Sequence, residues 1–152
     1  MTTRHWIIRR AAEADQATLA DIYLTARRAT FTWIDPGRFH PEDFAIQSRG
    51  ELVLVCLTEE RQIAGFVAIW EADMFIHMLY VRSEFQGSGA GTALLKALPG
   101  WPQRRYRLKC LVKNIRARRF YEQVGFVVTG QGTSSEGDYN DMLLGPATDR
   151  MR

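Results

Sequence analysis

"FIHMLYVRSEFQGSGAGTALLKAL", residues 75–98, is the stretch on which the reading of this chain turns. The apolar, β-branched and aromatic run over 74–81 predicts a strand, and a helix-forming segment ends near Leu98 before Pro99-Gly100. Between them glycine occupies alternate positions, Gly87, Gly89 and Gly91. The first N–H groups of a helix have no partner within it, and the helix dipole adds partial positive charge there. Where side chains are missing, one anion can approach several such groups together. Gln86-Gly87-Ser88-Gly89-Ala90-Gly91, with Thr92 behind it, therefore reads as a cradle for a phosphate or diphosphate. A tight strand-to-helix turn is the plainer alternative, but one glycine would serve it. Two familiar nucleotide motifs fail at named residues. A P-loop closes on Gly-Lys-Ser/Thr, whereas this segment continues Gly91-Thr92-Ala93. A dinucleotide fingerprint beginning at Gly87 needs glycine where Thr92 stands.

Outward from this centre the pattern alternates between the two structural periods. "HWIIRRA" (5–11) predicts a strand, and Leu19, Ile22, Tyr23 and Ala26 recur at helical spacing within 14–30. An aromatic connection broken by Pro36-Gly37 leads to a short helix at 41–48, with Pro41 in its first turn. "ELVLVCLT" (51–58) and "QIAGFVAIWE" (62–71) predict a hairpin about Glu59-Glu60-Arg61. Beyond the glycine segment come a strand at 106–112, a helix from Ile115 closed by Gly125, and strands at 126–130 and 138–145 around a Gly/Ser-rich loop. The order β-α-α-β-β-β-α-β-α-β-β implies an α/β (α+β) chain. Its sheet is mixed and twisted, with about seven strands and helices on both faces. A length of 152 residues and the lack of repeats or long linkers fit one domain over 1–152.

Composition sets further bounds. No run of about 18 apolar residues is present, so a membrane-spanning helix is not expected. The amino-terminal residues lack a signal core, and Cys56 and Cys110 sit in apolar runs as buried free thiols rather than a disulfide. Both features fit a cytoplasmic protein. With no histidine close to either cysteine, a zinc site is not expected. Between Arg104 and Arg119 stand eight Lys or Arg and no acid. That cluster suits nucleic acid, a phosphorylated small molecule, or simply a solvated face.

"LYVRSEFQGSGAGTALL" resembles the signature of the GNAT acetyltransferase superfamily. That signature is a strand ending in leucine-x-valine, a polar turn, then Gln/Arg-x-x-Gly-x-Gly/Ala opening a helix. Gln86, Gly89 and Gly91 fill its defined positions, and Asn114, Ala117, Tyr121, Gly125 and Phe126 fill the family's second block. The resemblance implies a GNAT fold with a splayed sheet, and acetyl-CoA as acyl donor with no metal. It also implies roles for particular residues. Backbone N–H groups of 86–91 would hold the diphosphate, and the edge at Leu79, Tyr80 and Val81 would pair with the pantetheine amides. The Leu79 N–H would stabilise the charge that develops on the thioester oxygen. Asn114 would cap the following helix and reach the pantetheine, and Tyr121 would protonate the leaving sulfur. A cofactor with three phosphates also accounts for part of the basic cluster, so nucleic acid is no longer required.

The amine must lose a proton before it attacks. Strand periodicity puts Phe75, His77, Leu79 and Val81 on one face, and one member of the family carries a histidine at the place of His77. His77 is thus the candidate base, Glu71 and Asp73 are the reserves, and a packed strand histidine is the structural alternative. Direct transfer in a ternary complex is the default, against an acyl-enzyme on Cys110. On the acceptor side the family places the first two helices and the last loop. Here that brings Phe31, Trp33, Phe39 and Phe44, with Tyr139 opposite, either to bind an amine or to pack short helices. Asp35, Glu42 and Asp43 are candidate partners for an ammonium group. The expected activity is N-acetylation of a small primary amine or amino acid. The alternatives are a catalytically silent acyl-CoA-binding or sensing module and a protein (N-terminal or lysine) acetyltransferase. Homodimers occur in the family, and the sequence does not decide that point.

Overall fold

The computed structural model describes residues 5–146. Seven strands form one sheet: β1 (Ile7–Arg10), β2 (Leu52–Leu57), β3 (Ile63–Trp70), β4 (Phe75–Val81), β5 (Arg107–Leu111), β6 (Phe126–Ser134) and β7 (Gly137–Leu144). Their spatial order is β1-β2-β3-β4-β5-β7-β6. Only β4 and β5 run parallel; the other neighbours are antiparallel. Four helices cover the sheet: α1 (Gln16–Thr30), α2 (Asp43–Gln47), α3 (Ala90–Lys96) and α4 (Ile115–Val124).

Alternating strand residues feed two cores. Val55, Phe66, Ala68 and Met78 pack beneath Leu19, Ile22 and Tyr23 of α1 and Phe44 of α2. On the opposite face Leu54, Val67, Ile69 and Ile76 pack with Leu94 and Leu95 of α3, while Phe120 and Tyr121 of α4 lean on the same cluster. Leu94 and Leu95 are fully buried, each contributing about 2 kcal/mol by removing apolar surface from water. Cys56 and Cys110 are buried free thiols in that second core.

Several expected boundaries shift. Glu71–Asp73 form a single 3-10 turn ending on Met74 at φ 52°, so β3 stops at Trp70. Residues 131–134, expected as a loop, belong to β6, because β7 extends back to Gly137 and pairs with them. α3 ends at Lys96 and α2 begins at Asp43, both inside the expected spans.

The largest correction concerns β4. Opposite the consecutive residues Ala68 and Ile69 lie Met78 and Ile76, so His77 is the extra residue of a β-bulge. A bulge resets the two-residue period. Leu79 and Val81 pack toward the α3 core, whereas the Phe75 ring stacks with His77 and lies beneath the Arg107 guanidinium. The expected single face of Phe75, His77, Leu79 and Val81 is therefore two faces that meet at the bulge.

Candidate active site

β4 and β5 stay paired only at Phe75↔Arg107 and Ile76↔Leu108, and then separate. Main-chain groups of a strand point alternately to its two neighbours. The Arg82 N–H donates to Ala64 O at 2.8 Å, so Tyr80 and Met78 also direct their groups to β3. Leu79 and Val81 then turn theirs into the gap, where Val81 O accepts from Gln86 Nε2 at 3.3 Å. A cleft of about 460 Å³ occupies this opening.

The glycine loop forms one end. The Ala93 N–H makes the first backbone bond into α3, to Gly89 O at 2.9 Å, and no backbone acceptor among the described residues meets the N–H groups of Gly87 to Thr92. Gly87 (φ 77°) and Gly89 (φ 90°) adopt a left-handed conformation that costs other residues about 1–2 kcal/mol. No atom lies within 4 Å of a Cβ placed on Gly87. Gly91 answers a different need, since a Cβ there would stand 3.1 Å from Phe120 Cζ. The third glycine lets α3 and α4 pack closely. Ser88 turns from the cleft: its hydroxyl donates to Phe85 O, and its carbonyl accepts from Trp6 Nε1 at 3.3 Å. That indole ties the loop to the segment before β1.

α4 forms the adjoining wall. The Asn114 side chain caps it by accepting from the Ala117 N–H at 3.2 Å, and Gly125 (φ 118°) closes it. Asn114, Arg116 and Tyr121 all line the cleft. Burial pushes the Tyr121 phenol well above its ordinary pKa, so the group holds its proton. Its hydroxyl has no hydrogen-bond partner among the described residues. Burial likewise pushes the Cys110 thiol up to about 11.

At the other end the bulge presents His77, whose Nδ1 lies 3.0 Å from each Glu51 carboxylate oxygen. Glu51 precedes β2, and its side chain is only 6% exposed. Sequence reading missed it. One acid before an apolar run carries no signal of its own, and its neighbour is set by a meander plus a bulge. Glu71 and Asp73, the reserve bases, are not among the lining residues, and Asp73 faces Arg107 at 3.7 Å.

The predicted acceptor aromatics divide. Phe31 lines the cleft together with Ala26 and Thr30 of α1. Trp33 does not; its indole donates to Glu136 O at 2.7 Å, tying the α1–α2 connection to the β6–β7 turn. Phe39 and Phe44 are buried. Arg27 stands 4.3 Å from both the Tyr23 and Phe39 rings and 3.0 Å from Asp43. Burial opposes the Asp43 charge, but the His40 N–H and Arg27 outweigh it and lower its pKa. Tyr139 lies under Lys109. Asp35 accepts from the Gly37 N–H, and none of Asp35, Glu42 and Asp43 reaches the cleft, so the expected ammonium partners are not there.

Among the described residues no group of three or more His, Cys, Asp or Glu is placed to hold a metal ion, and no helix is long and apolar enough to cross a membrane. The profile of the acetyltransferase (GNAT) family matches residues 17–126. A GCN5-related N-acetyltransferase from Rhodopseudomonas palustris superposes with a TM-score of 0.78 at 21% identity, over 96% of this chain and 99% of its own. Apo YjaB from Escherichia coli gives 0.77 at 21% identity, over 94% and 99%. A variant of the spermidine N-acetyltransferase SpeG from Vibrio cholerae gives 0.64 at 16%, over 91% and 92%. No curated protein sequence matches the chain.

Proposed function

The chain belongs to the GNAT acetyltransferase family, and from that premise we propose that it transfers acetyl from acetyl-CoA directly to a primary amine in a ternary complex. The observation that carries this reading is the gap between β4 and β5, where Leu79 keeps its main-chain groups, and Val81 its N–H, unpaired beside the glycine loop. An extended donor chain pairs with that edge as an added strand does. The N–H groups of Gly87 to Thr92 take its diphosphate, with Arg116 on the neighbouring wall.

Acyl transfer from a thioester to an amine forms a C–N bond, breaks a C–S bond, and moves one proton from nitrogen to sulfur. We assign each event to a residue of this chain. The Leu79 N–H faces the carbonyl oxygen and stabilises it more as negative charge builds than before. Tyr121, kept protonated by burial, gives a proton to the departing sulfur. His77 takes the proton from the amine. With Nδ1 donating to Glu51, the imidazole carries its lone pair on Nε2, so Glu51 acts as a positioning residue that selects the tautomer. A Cys110 acyl-enzyme is disfavoured, because a thiol raised to about 11 is protonated near neutral pH.

Calorimetric titration with acetyl-CoA, followed by thiol release across a panel of amines, tests this directly. Heat of binding plus turnover on small amines is expected. Heat without turnover on any amine identifies a silent acyl-CoA sensor, and turnover confined to peptide N-termini or lysines identifies a protein acetyltransferase. No heat at all overturns the reading.

A further inference from the structure

Charge along the cleft wall is one-sided. Among the described residues no aspartate or glutamate lines it; its cations are Lys109 and Arg116, with His77 as the third basic group. Arg116 belongs to the first turn of α4, beside Asn114 at the donor end. Lys109 belongs to the other end. Beyond the last pair, Ile76↔Leu108, His77 and Lys109 are the next residues of β4 and β5, on the two sides of the opening gap. Leu108 and Cys110 point into the core under α3 and α4, which turns Lys109 to the face that carries α1.

The Lys109 ammonium lies 4.7 Å from the centre of the Tyr139 ring and forms no ion pair among the described residues. The surrounding acids are placed elsewhere. Asp141, directly opposite on β7, lies beyond ion-pair distance of it. Glu51 has both oxygens on His77, and Asp43 and Glu136 face Arg27 at 3.0 and 4.0 Å. A cation with no counterion, beside a candidate proton acceptor, is a ready partner for an anionic group on the substrate.

We infer that the acceptor is an amino carboxylate, its amine at His77 and its carboxylate on Lys109. The inference rests on the acyl-transfer reading of the same cleft and names its substrate class. A polyamine would bring extra positive charge to a wall that offers no acid and already carries an ammonium. Repulsion from the wrong partner and attraction to the right one then act together.

The experiment compares kcat/KM for the common amino acids, the amines made from them by loss of the carboxylate, and spermidine, in wild type and in Lys109→Met and Lys109→Glu. The wild type should favour an amino acid over its decarboxylated amine. Lys109→Met should lower kcat/KM for the amino acid about 10- to 100-fold, mainly through KM, with little change for the amine. Lys109→Glu should reverse the preference, and acetyl-CoA binding heat should stay unchanged in both. Turnover that favours amines lacking a carboxylate, or a preference untouched by either substitution, overturns the inference while the acyl-transfer reading stands. Absence of acetyl-CoA heat in the wild type removes both.

Discussion

The two ends of the cleft are built from different material. In the proposed reaction the donor end consists largely of main chain: the open β4 edge at Leu79 and Val81 and the bare N–H groups from Gly87 to Thr92. The proposed acceptor end consists of side chains from separate elements, His77 on a bulge, Lys109 on β5, Phe31 at the close of α1, and Glu51 behind them. Main-chain groups are present whatever the residue, so substitutions at the donor end act by filling space or straining backbone. Substitutions at the acceptor end remove the chemistry itself.

That contrast can be broken by measurement. The largest effect should come where the two ends meet. Tyr121→Phe removes the proposed proton donor and should lower kcat about 10³-fold with acetyl-CoA affinity retained, as read by thiol release and calorimetry. Because burial raises this phenol, the wild-type rate should show no decline from its ionisation below the ordinary phenol pKa of about 10. An equal loss of cofactor affinity would place Tyr121 in binding instead. His77→Ala should lower kcat/KM about 10²-fold. Glu51→Gln should lower kcat about tenfold while KM for either substrate holds, and a change confined to KM would end its positioning role.

At the donor end Gly89→Val forces a β-branched residue to φ 90° and should weaken acetyl-CoA binding about tenfold, with the acceptor preference unchanged. A shift in acceptor preference would show that the two ends are not independent. The smallest effect belongs to Cys110→Ala, for which activity should stay within about threefold of wild type if transfer is direct. Loss comparable to Tyr121→Phe, in a folded variant, would revive the covalent route.

Legibility followed the same division. Gly87, Gly89, Asn114 and Gly125 were readable because each meets a local backbone demand, a left-handed φ or a helix cap, stated within a few residues of sequence. Gly91 was readable as a position but not in its reason, since Phe120 approaches from a helix far along the chain. His77 lines the cleft, but the face assigned to it was wrong, because a bulge depends on how β3 pairs with β4. Lys109 was read only as one of the eight basic residues between Arg104 and Arg119.

The sequence alone determined the order of elements, the glycine loop and the helix caps, since those depend on backbone preference and short-range periodicity. Only the tertiary structure decided that β4 and β5 part after two pairs, that Glu51 meets His77, and that no carboxylate among the described residues lines the cleft. Those outcomes depend on strand register and helix packing over long sequence separations, and a shift of one residue turns a side chain from one face of a sheet to the other.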